Sequence, residues 1–453
     1  MNRTTGLFGA TTAAPPLLVA IATTTVFSLI LLGVMFVGLP IWSVLIVIAA
    51  IVYAFTVLHR PIVGVYVVVA VFFVPIRFSL GFSLLQSVGG GTAAILLLWF
   101  LYHQRKIKFA TFMIPLLLLG PLILVSLLYT RDAAATLMFF RRWVFNMMFV
   151  LLLLNLVTNF ETFKKVLWAI MLMASANSIV GMVDSSGAAE VDHRSMGLTE
   201  NANNLGHLAA LAFPLALYQY LYAKGWQRWL GLSLCAVLAG GIVASVSRGA
   251  LVSLTVVFAI VMVVERRRVL PLLLILGLGF SSIPLLPNYF IDRTSNLVED
   301  VKNTVVIQDQ RQLSSRGHLN AAGLRIWLAH PVMGVGIGNF GYYYMQREFM
   351  GADRPDKRIG AHNIYIQALS ELGILGGLVL LWLLLHSGLS VVRARRSTDR
   401  NSERWPYMAA IEMMALAILV NTASAGHLMG NDLWMFLGLT VIAGEVAKNK
   451  DNP

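Results

Sequence analysis

Apolar residues in this chain come in long unbroken runs, neither alternating as in a half-buried strand nor confined to a stripe as on a water-facing helix. The runs Leu17 to Val37, Phe112 to Tyr129 and Leu230 to Val246 are each long enough to cross a hydrocarbon layer of ~30 Å, and comparable runs recur from end to end. The pattern predicts an all-α polytopic integral membrane protein with roughly 12–14 transmembrane helices, the weakest lying between Phe82 and Tyr102. One integral domain, residues 1–453, accounts for nearly everything. The pattern breaks at length only once, after the run Leu270 to Leu286. Residues 287–361 mix polar and apolar positions before the membrane pattern returns in AHNIYIQALSELGILGG, residues 361–377. A structureless loop of that length is unusual, so short helices are expected within it. One is legible in SSRGHLNAAGLRIWLAHP, where Ser314 or Ser315 can cap the start and Pro331 stops the run. Along it, ~100° per residue puts Arg316, Asn320, Gly323 and Trp327 on one face and Arg325 on the other.

Composition agrees with the pattern: of 453 residues 58% are hydrophobic and 12% charged, and the mean hydropathy is +0.76. The net charge of +13 would point to nucleic acid in a soluble protein, but here its distribution decides. With the amino terminus inside, Arg60, Arg105, Lys106, Lys108, Lys164, Lys165, Lys224, Arg228, Arg266 to Arg268, Arg393, Arg395 and Arg396 all fall in cytoplasmic turns. The opposite turns hold few cations, chiefly Arg77, Arg131, Arg141, Arg142, Arg194 and Arg248. Both termini, residues 1–16 and 448–453, are then expected as cytoplasmic tails and residues 287–361 as an extracytoplasmic loop. The first apolar run lacks a small-residue cleavage site and reads as a retained span, not a signal peptide. The single cysteine, Cys235, excludes an intrachain disulfide and a thiolate cluster.

Candidate chemistry gathers on the outer side. Arg194 lies in VDHRSMGLTENANNLGHL, whose Thr199, Asn201 and Asn203 are good helix caps; Arg248 lies in the turn SVSRGAL; Arg316 lies in the loop helix. Ionisable groups at membrane depth cost at least ~2.5 kcal/mol on insertion scales and tend to face a cavity. Guanidinium groups stay charged and present a planar fork suited to phosphate oxygens. Three of them converging point to a phosphorylated or diphosphate substrate, although any one alone could be snorkelling or salt-bridged. The loop's nine cations face seven acids, so this field is local. His362 is the one member of the set with an ordinary pKa near neutrality, ~6.5, and can take a proton from an attacking hydroxyl. A His-Asn pair at a helix start also serves as a cap, the plainer role for Asn363. Along the following helix Gly373 and Gly376 lie beneath His362, where they would admit a neighbouring helix or a lipid chain, and Glu371 lies opposite. In PVMGVGIGNFGYYY, Gly334, Gly336 and Gly338 lack the strand and helix of a nucleotide-binding loop, so they are expected to permit tight turns. The aromatics after them suit a membrane interface. His193, His207, His318, His330 and His427 show no metal-ligand spacing, and Asp292, Glu299, Asp300 and Asp309 are spaced like a solvated surface.

His362-Asn363, nine residues, Gly373, two residues and Gly376 resemble the His-[Asn/Ser/Gln]-x9-Gly-x-x-Gly signature of the O-antigen ligase and polymerase superfamily of bacterial envelopes. The stretch from Arg194 through Gly197, Asn201 and Asn203, the Ser247-Arg248-Gly249 turn and the Arg316 helix also resemble that family, with Ala202 where many relatives carry proline. The resemblance implies an inverting, metal-independent glycosyltransferase of the bacterial inner membrane, without cofactor. It would use a glycan on undecaprenyl diphosphate at the periplasmic face. Arg194, Arg248 and Arg316 would hold the diphosphate and His362 would activate or orient the acceptor hydroxyl, with Asn201, Asn203, Asn363, Trp327, Gly373 and Gly376 in support. The acceptor would be lipid A-core for a ligase, the growing glycan for a polymerase, or a protein hydroxyl. Length and the single late loop favour the ligase. A membrane transporter is the reading from another class, and it predicts inverted repeats and charges near mid-span, which the chain does not display.

Overall fold

The computed structural model describes residues 41–73, 84–104, 106–111, 113–187, 194–199, 201–265, 315–350 and 358–448. The expected spans Leu17 to Val37 and Leu270 to Leu286, the tails 1–16 and 449–453, residues 287–314 and 351–357 of the long loop, and Arg77 and His193 lie outside the described residues. The chain divides into two compact units, Met1–Val63 and Gly64–Pro453. In the first, α1 (Ile41–His59) is mostly apolar. Its Thr56 hydroxyl donates to the Val52 carbonyl at 2.7 Å and the His59 ring bonds the Phe55 carbonyl at 2.9 Å, so these two polar side chains are satisfied one turn back. Pro61 opens α2 (Pro61–Phe72), where a missing N–H costs least.

The second unit continues through α3 (Leu84–Tyr102), α4 (Met113–Ser126), α5 (Ala133–Leu156), α6 (Phe160–Gly187), α7 (Ala202–Tyr222), α8 (Trp226–Ser245) and α9 (Arg248–Val264). After the long loop's helices α10 (Ser315–Ala329), α11 (Phe340–Tyr344) and α12 (Arg347–Met350) come α13 (Ile364–Ser397), α14 (Trp405–Ala425) and α15 (Asn431–Lys448). No strand occurs among the described residues. Five helices there are long and apolar enough to cross a membrane, namely α5, α6, α8, α13 and α14, and shorter apolar helices accompany them. The protein is an all-α polytopic membrane protein.

Burial explains the arrangement. Helix α7 is buried at every position from Leu205 to Leu221 and packs against α6, α8, α9 and α14, as befits a helix that is apolar on all sides. On α13, by contrast, Leu378, Leu381, Leu385 and Leu389 are exposed at helical spacing, an outward stripe that suits lipid. Arg141 and Arg142 lie inside α5 and not in a turn, because apolar residues on both sides keep the helical run continuous.

Polar contacts mark two ends of the bundle. At one, the Tyr222 hydroxyl donates to Glu265 at 2.7 Å, Arg400 pairs with the same carboxylate at 3.2 Å, Lys164 pairs with Glu403 at 2.6 Å, and Arg395 pairs with Glu412. These tie together α6, α7 and α9 with the turn between α13 and α14. At the other ends of those helices sits the cap formed by α10 to α12. Its core is Leu319, Ala322, Ile326, Val335, Phe340, Tyr344, Phe349 and Ala361. Phe340 and Tyr344, expected at a membrane interface, are instead buried in this core.

Candidate functional site

The site is built around a break in α13. Within it Gly373 takes φ 66°, ψ −160°, a backbone closed to other residues. The loop after α10 fills the break. The Val335 N–H donates to the Ser370 carbonyl at 3.0 Å, the Gly336 N–H to the Glu371 carbonyl at 2.8 Å, and the Ile374 N–H to the Pro331 carbonyl at 2.9 Å. Groups that a continuous helix would pair internally are thereby satisfied from outside. A Cβ on Gly373 would lie 2.6 Å from the Met333 nitrogen, so what approaches this glycine is loop backbone, neither a helix nor a lipid chain. Gly376 faces Leu372 and the Ala368 carbonyl of its own helix. The glycines of the loop, Gly334, Gly336 and Gly338, all have positive φ. Glu371 locks the loop from below: its buried carboxylate accepts from the Phe340 N–H at 2.9 Å and from the Gln367 amide at 2.8 Å.

The short helix before this break carries His362 and Asn363 at its start. Asn363 is the N-cap, its Oδ1 accepting from the N–H groups of Tyr365 at 3.0 Å and Ile366 at 3.2 Å, while its amide donates to Asn320 of α10 at 3.4 Å. Gly323 lets α10 close onto Ile366, which sets Arg316 in electrostatic reach of His362. His362 itself has φ 52°, in the left-handed region that costs a non-glycine residue about 1–2 kcal/mol. Trp327 donates its indole N–H to the Pro331 carbonyl at 3.3 Å, which anchors the loop.

A second half of the site forms where α7, α8 and α9 meet. Arg194 donates from Nε to the Ser245 carbonyl at 3.2 Å and from a terminal nitrogen to Asn203 Oδ1 at 2.8 Å. Asn201 caps α7 by accepting from the Asn204 N–H at 2.9 Å. Ala202 is therefore the first helical residue, a position that suits proline equally well. Val246, buried and β-branched, takes φ 47° at the turn into Ser247 and Arg248, a genuine backbone outlier. Helix α7 joins the halves: Asn203 touches Arg194, and His207, one turn on, lies in electrostatic reach of Arg316 and His427.

Two histidines that showed no metal spacing thus belong to the site. The ring centroids of His362 and His427 are 5.1 Å apart, and Gly360 lies under the His427 ring, where a Cβ would be 3.3 Å from Cε1. Gln367 holds the His427 turn by accepting the Leu428 N–H at 2.8 Å, and Asn146 of α5 donates to the Met429 carbonyl at 3.5 Å. Burial lowers the His362 pKa and the nearby Arg316 charge lowers it further. Burial, His362 and Arg142 push His427 down to about 4. Both rings are neutral at pH 7, so each can accept a proton. Among the described residues no group of three or more His, Cys, Asp or Glu side chains is arranged to hold a metal ion.

Residues 233–381, from α8 to the middle of α13, match the family model described as O-antigen ligase. This match supports a place in the O-antigen ligase superfamily. No curated protein matches it. The matched stretch contains Arg248, Arg316, His362, Gly373 and Gly376, while Arg194 and His427 lie outside it and reach the same region through the fold. The match supports glycan transfer of the ligase and polymerase type in general, with a lipid-linked glycan and an acceptor as the kinds of partner that family implies.

Proposed function

We propose that the enzyme transfers a glycan from undecaprenyl diphosphate to an acceptor hydroxyl at the periplasmic face of the bacterial inner membrane, as an O-antigen ligase acting on lipid A-core. The acceptor oxygen attacks the anomeric carbon while the bond from that carbon to the diphosphate oxygen breaks. The bonding pair leaves with the diphosphate, the hydroxyl proton passes to His362, and the single displacement inverts the anomeric centre. Arg194, Arg248 and Arg316 offset the charge that develops on the departing diphosphate, without calling on a metal ion. Asn203 holds the Arg194 fork, Asn363 fixes the helix start beneath His362, and Gly373 admits the loop that Trp327 anchors at Pro331.

The observation that carries this reading is that the Asn363–Asn320 bond of 3.4 Å holds α10 against the helix start, which leaves Arg316, from a different segment, in electrostatic reach of the half-buried His362 imidazole. A base next to a fixed positive charge is what attack on a diphosphate-linked sugar needs: one takes the proton, the other faces the leaving group. The cation-rich ends of the helices lie away from this site, in agreement with a cytoplasmic placement for them. One large late loop favours the ligase over a polymerase or a protein glycosyltransferase.

The test is transfer by the purified chain supplied with glycan on undecaprenyl diphosphate, offered lipid A-core, a second lipid-linked glycan and a pilin-like protein in parallel. Product on lipid A-core supports the ligase. Product on the second glycan makes the enzyme a polymerase, product on the protein makes it a protein glycosyltransferase, and no product on any acceptor removes the glycan-transfer reading.

A further inference from the structure

Among the buried polar atoms of the second unit that lack a hydrogen-bond partner among the described residues, two lie near the candidate site. His207 is 3% exposed and Ser247 1% exposed, and neither His207 Nε2 nor Ser247 Oγ has a hydrogen-bond partner among the described residues. Buried polar atoms are ordinarily paired, because leaving one unpaired forfeits its hydration without return. Local structure does not absorb either atom. Ser247 is the N-cap residue of α9, yet its side chain makes no capping bond. The neighbouring Ser245 hydroxyl, by contrast, donates to the Ile242 carbonyl at 2.7 Å and accepts the Ser247 N–H at 3.2 Å.

Ser247 packs against the residue next to His207. Gly206, beside His207, lies so close to the α8–α9 turn that a Cβ there would be 2.9 Å from the Ser247 Cβ and 2.5 Å from the Ser245 hydroxyl. Around them are the fixed positive charges of the candidate site. Arg248 follows Ser247 in the chain, Arg194 bonds the Ser245 carbonyl at 3.2 Å, and Arg316 is in electrostatic reach of His207. The Ser247 hydroxyl and, in its Nε2–H tautomer, the His207 ring can both donate, and unpaired groups of that kind among guanidinium groups suit an anion with several acceptor oxygens.

We propose that His207 Nε2–H and Ser247 Oγ–H are donors to the phosphate oxygens of a polyprenyl diphosphate, completing the recognition of the leaving group that the three arginines provide. This rests on the glycan-transfer reading above. The two neutral donors supply direction where the arginines supply charge, and the ligand satisfies groups that the fold leaves unpaired.

The experiment compares the full-length wild-type chain with the Ser247→Ala and His207→Phe variants in detergent, by thermal unfolding without ligand and by equilibrium binding of a polyprenyl diphosphate and of the neutral polyprenol. Loss of an unpaired buried donor should leave the melting temperature unchanged or raised, while affinity for the diphosphate falls about tenfold in each variant, as for a hydrogen bond to a charged group. Affinity for the polyprenol should not change. Wild-type affinity for the diphosphate in both variants overturns the inference alone, and so does a fall in binding that tracks a fall in melting temperature, which makes the groups structural. Should the wild-type chain not distinguish diphosphate from polyprenol, the diphosphate-donor reading falls with it.

Discussion

The rings of His362 and His427 lie 5.1 Å apart between centroids and are tilted by 55°, although 65 residues of sequence separate them. His362 starts α13 and His427 follows α14, so antiparallel packing of the two helices brings both to the same end of the bundle. His427 covers one side of His362 and shields it from water. Replacing His427 by alanine should let water reach His362 and lower kcat/KM for transfer by about tenfold, while His427→Phe, which keeps the cover, should retain more activity. Steady-state transfer kinetics of the two variants check this; equal losses would show that the ring's nitrogens matter and not its bulk.

The same pair gives a pH dependence. Both pKa values lie below the ordinary 6.5 in the folded chain, His427 at about 4. Between those values the unfolded chain binds more protons than the folded one. The stability contributed by the neutral rings is therefore fully present above pH ~6.5 and is lost as pH falls towards 4. The acid limb of kcat/KM should lie below pH 6.5 for the same reason, and a limb at or above that value would contradict a half-buried base in reach of the Arg316 charge.

The Gly373 conformation makes a steric prediction. Gly373→Ala places a methyl group against the Val332–Met333 backbone at a φ of 66° and should destabilise by about 2 kcal/mol or more. Gly388→Ala on the same helix meets nothing within 4 Å and should be neutral or stabilising by up to ~1 kcal/mol. Thermal unfolding in detergent separates them, and similar melting temperatures would mean that the loop does not occupy the break.

Arg194 spans two acceptors, the Ser245 carbonyl and Asn203 Oδ1, from one planar fork. Lysine cannot bridge both, so Arg194→Lys should weaken donor binding about tenfold with the charge retained. Binding of the lipid-linked donor measures this. Unchanged affinity would reduce Arg194 to a structural tie between α7 and α8.

The helical, membrane-spanning character of the chain was legible because apolar runs of that length have one common solution in lipid. The start of α13 was legible too, since Asn363 caps it and the His-Asn and Gly-x-x-Gly positions are fixed in sequence. Asn201 was recognisable as a cap, whereas Asn203, an equally good capping residue, instead receives Arg194. The break at Gly373 was not legible, because the loop that fills it lies some 40 residues earlier and only its backbone is used. His207 and His427 carried a weaker signal. Each sits at a helix end on the side that the charge distribution assigns to His362, a parity that metal-ligand spacing does not test. Glu371 and Gln367 read as residues of an apolar span, and only the fold reveals that they hold the loop and the His427 turn.

The most direct test of the central claim is single-turnover glycan transfer by the His362→Asn variant. Asparagine tolerates the left-handed backbone at this position, so the fold should survive the change. Transfer is predicted to fall by about 10²–10⁴-fold, the range for loss of a positioned base, while donor affinity and melting temperature stay at their wild-type values. Transfer at the wild-type rate by a folded His362→Asn enzyme would contradict the account.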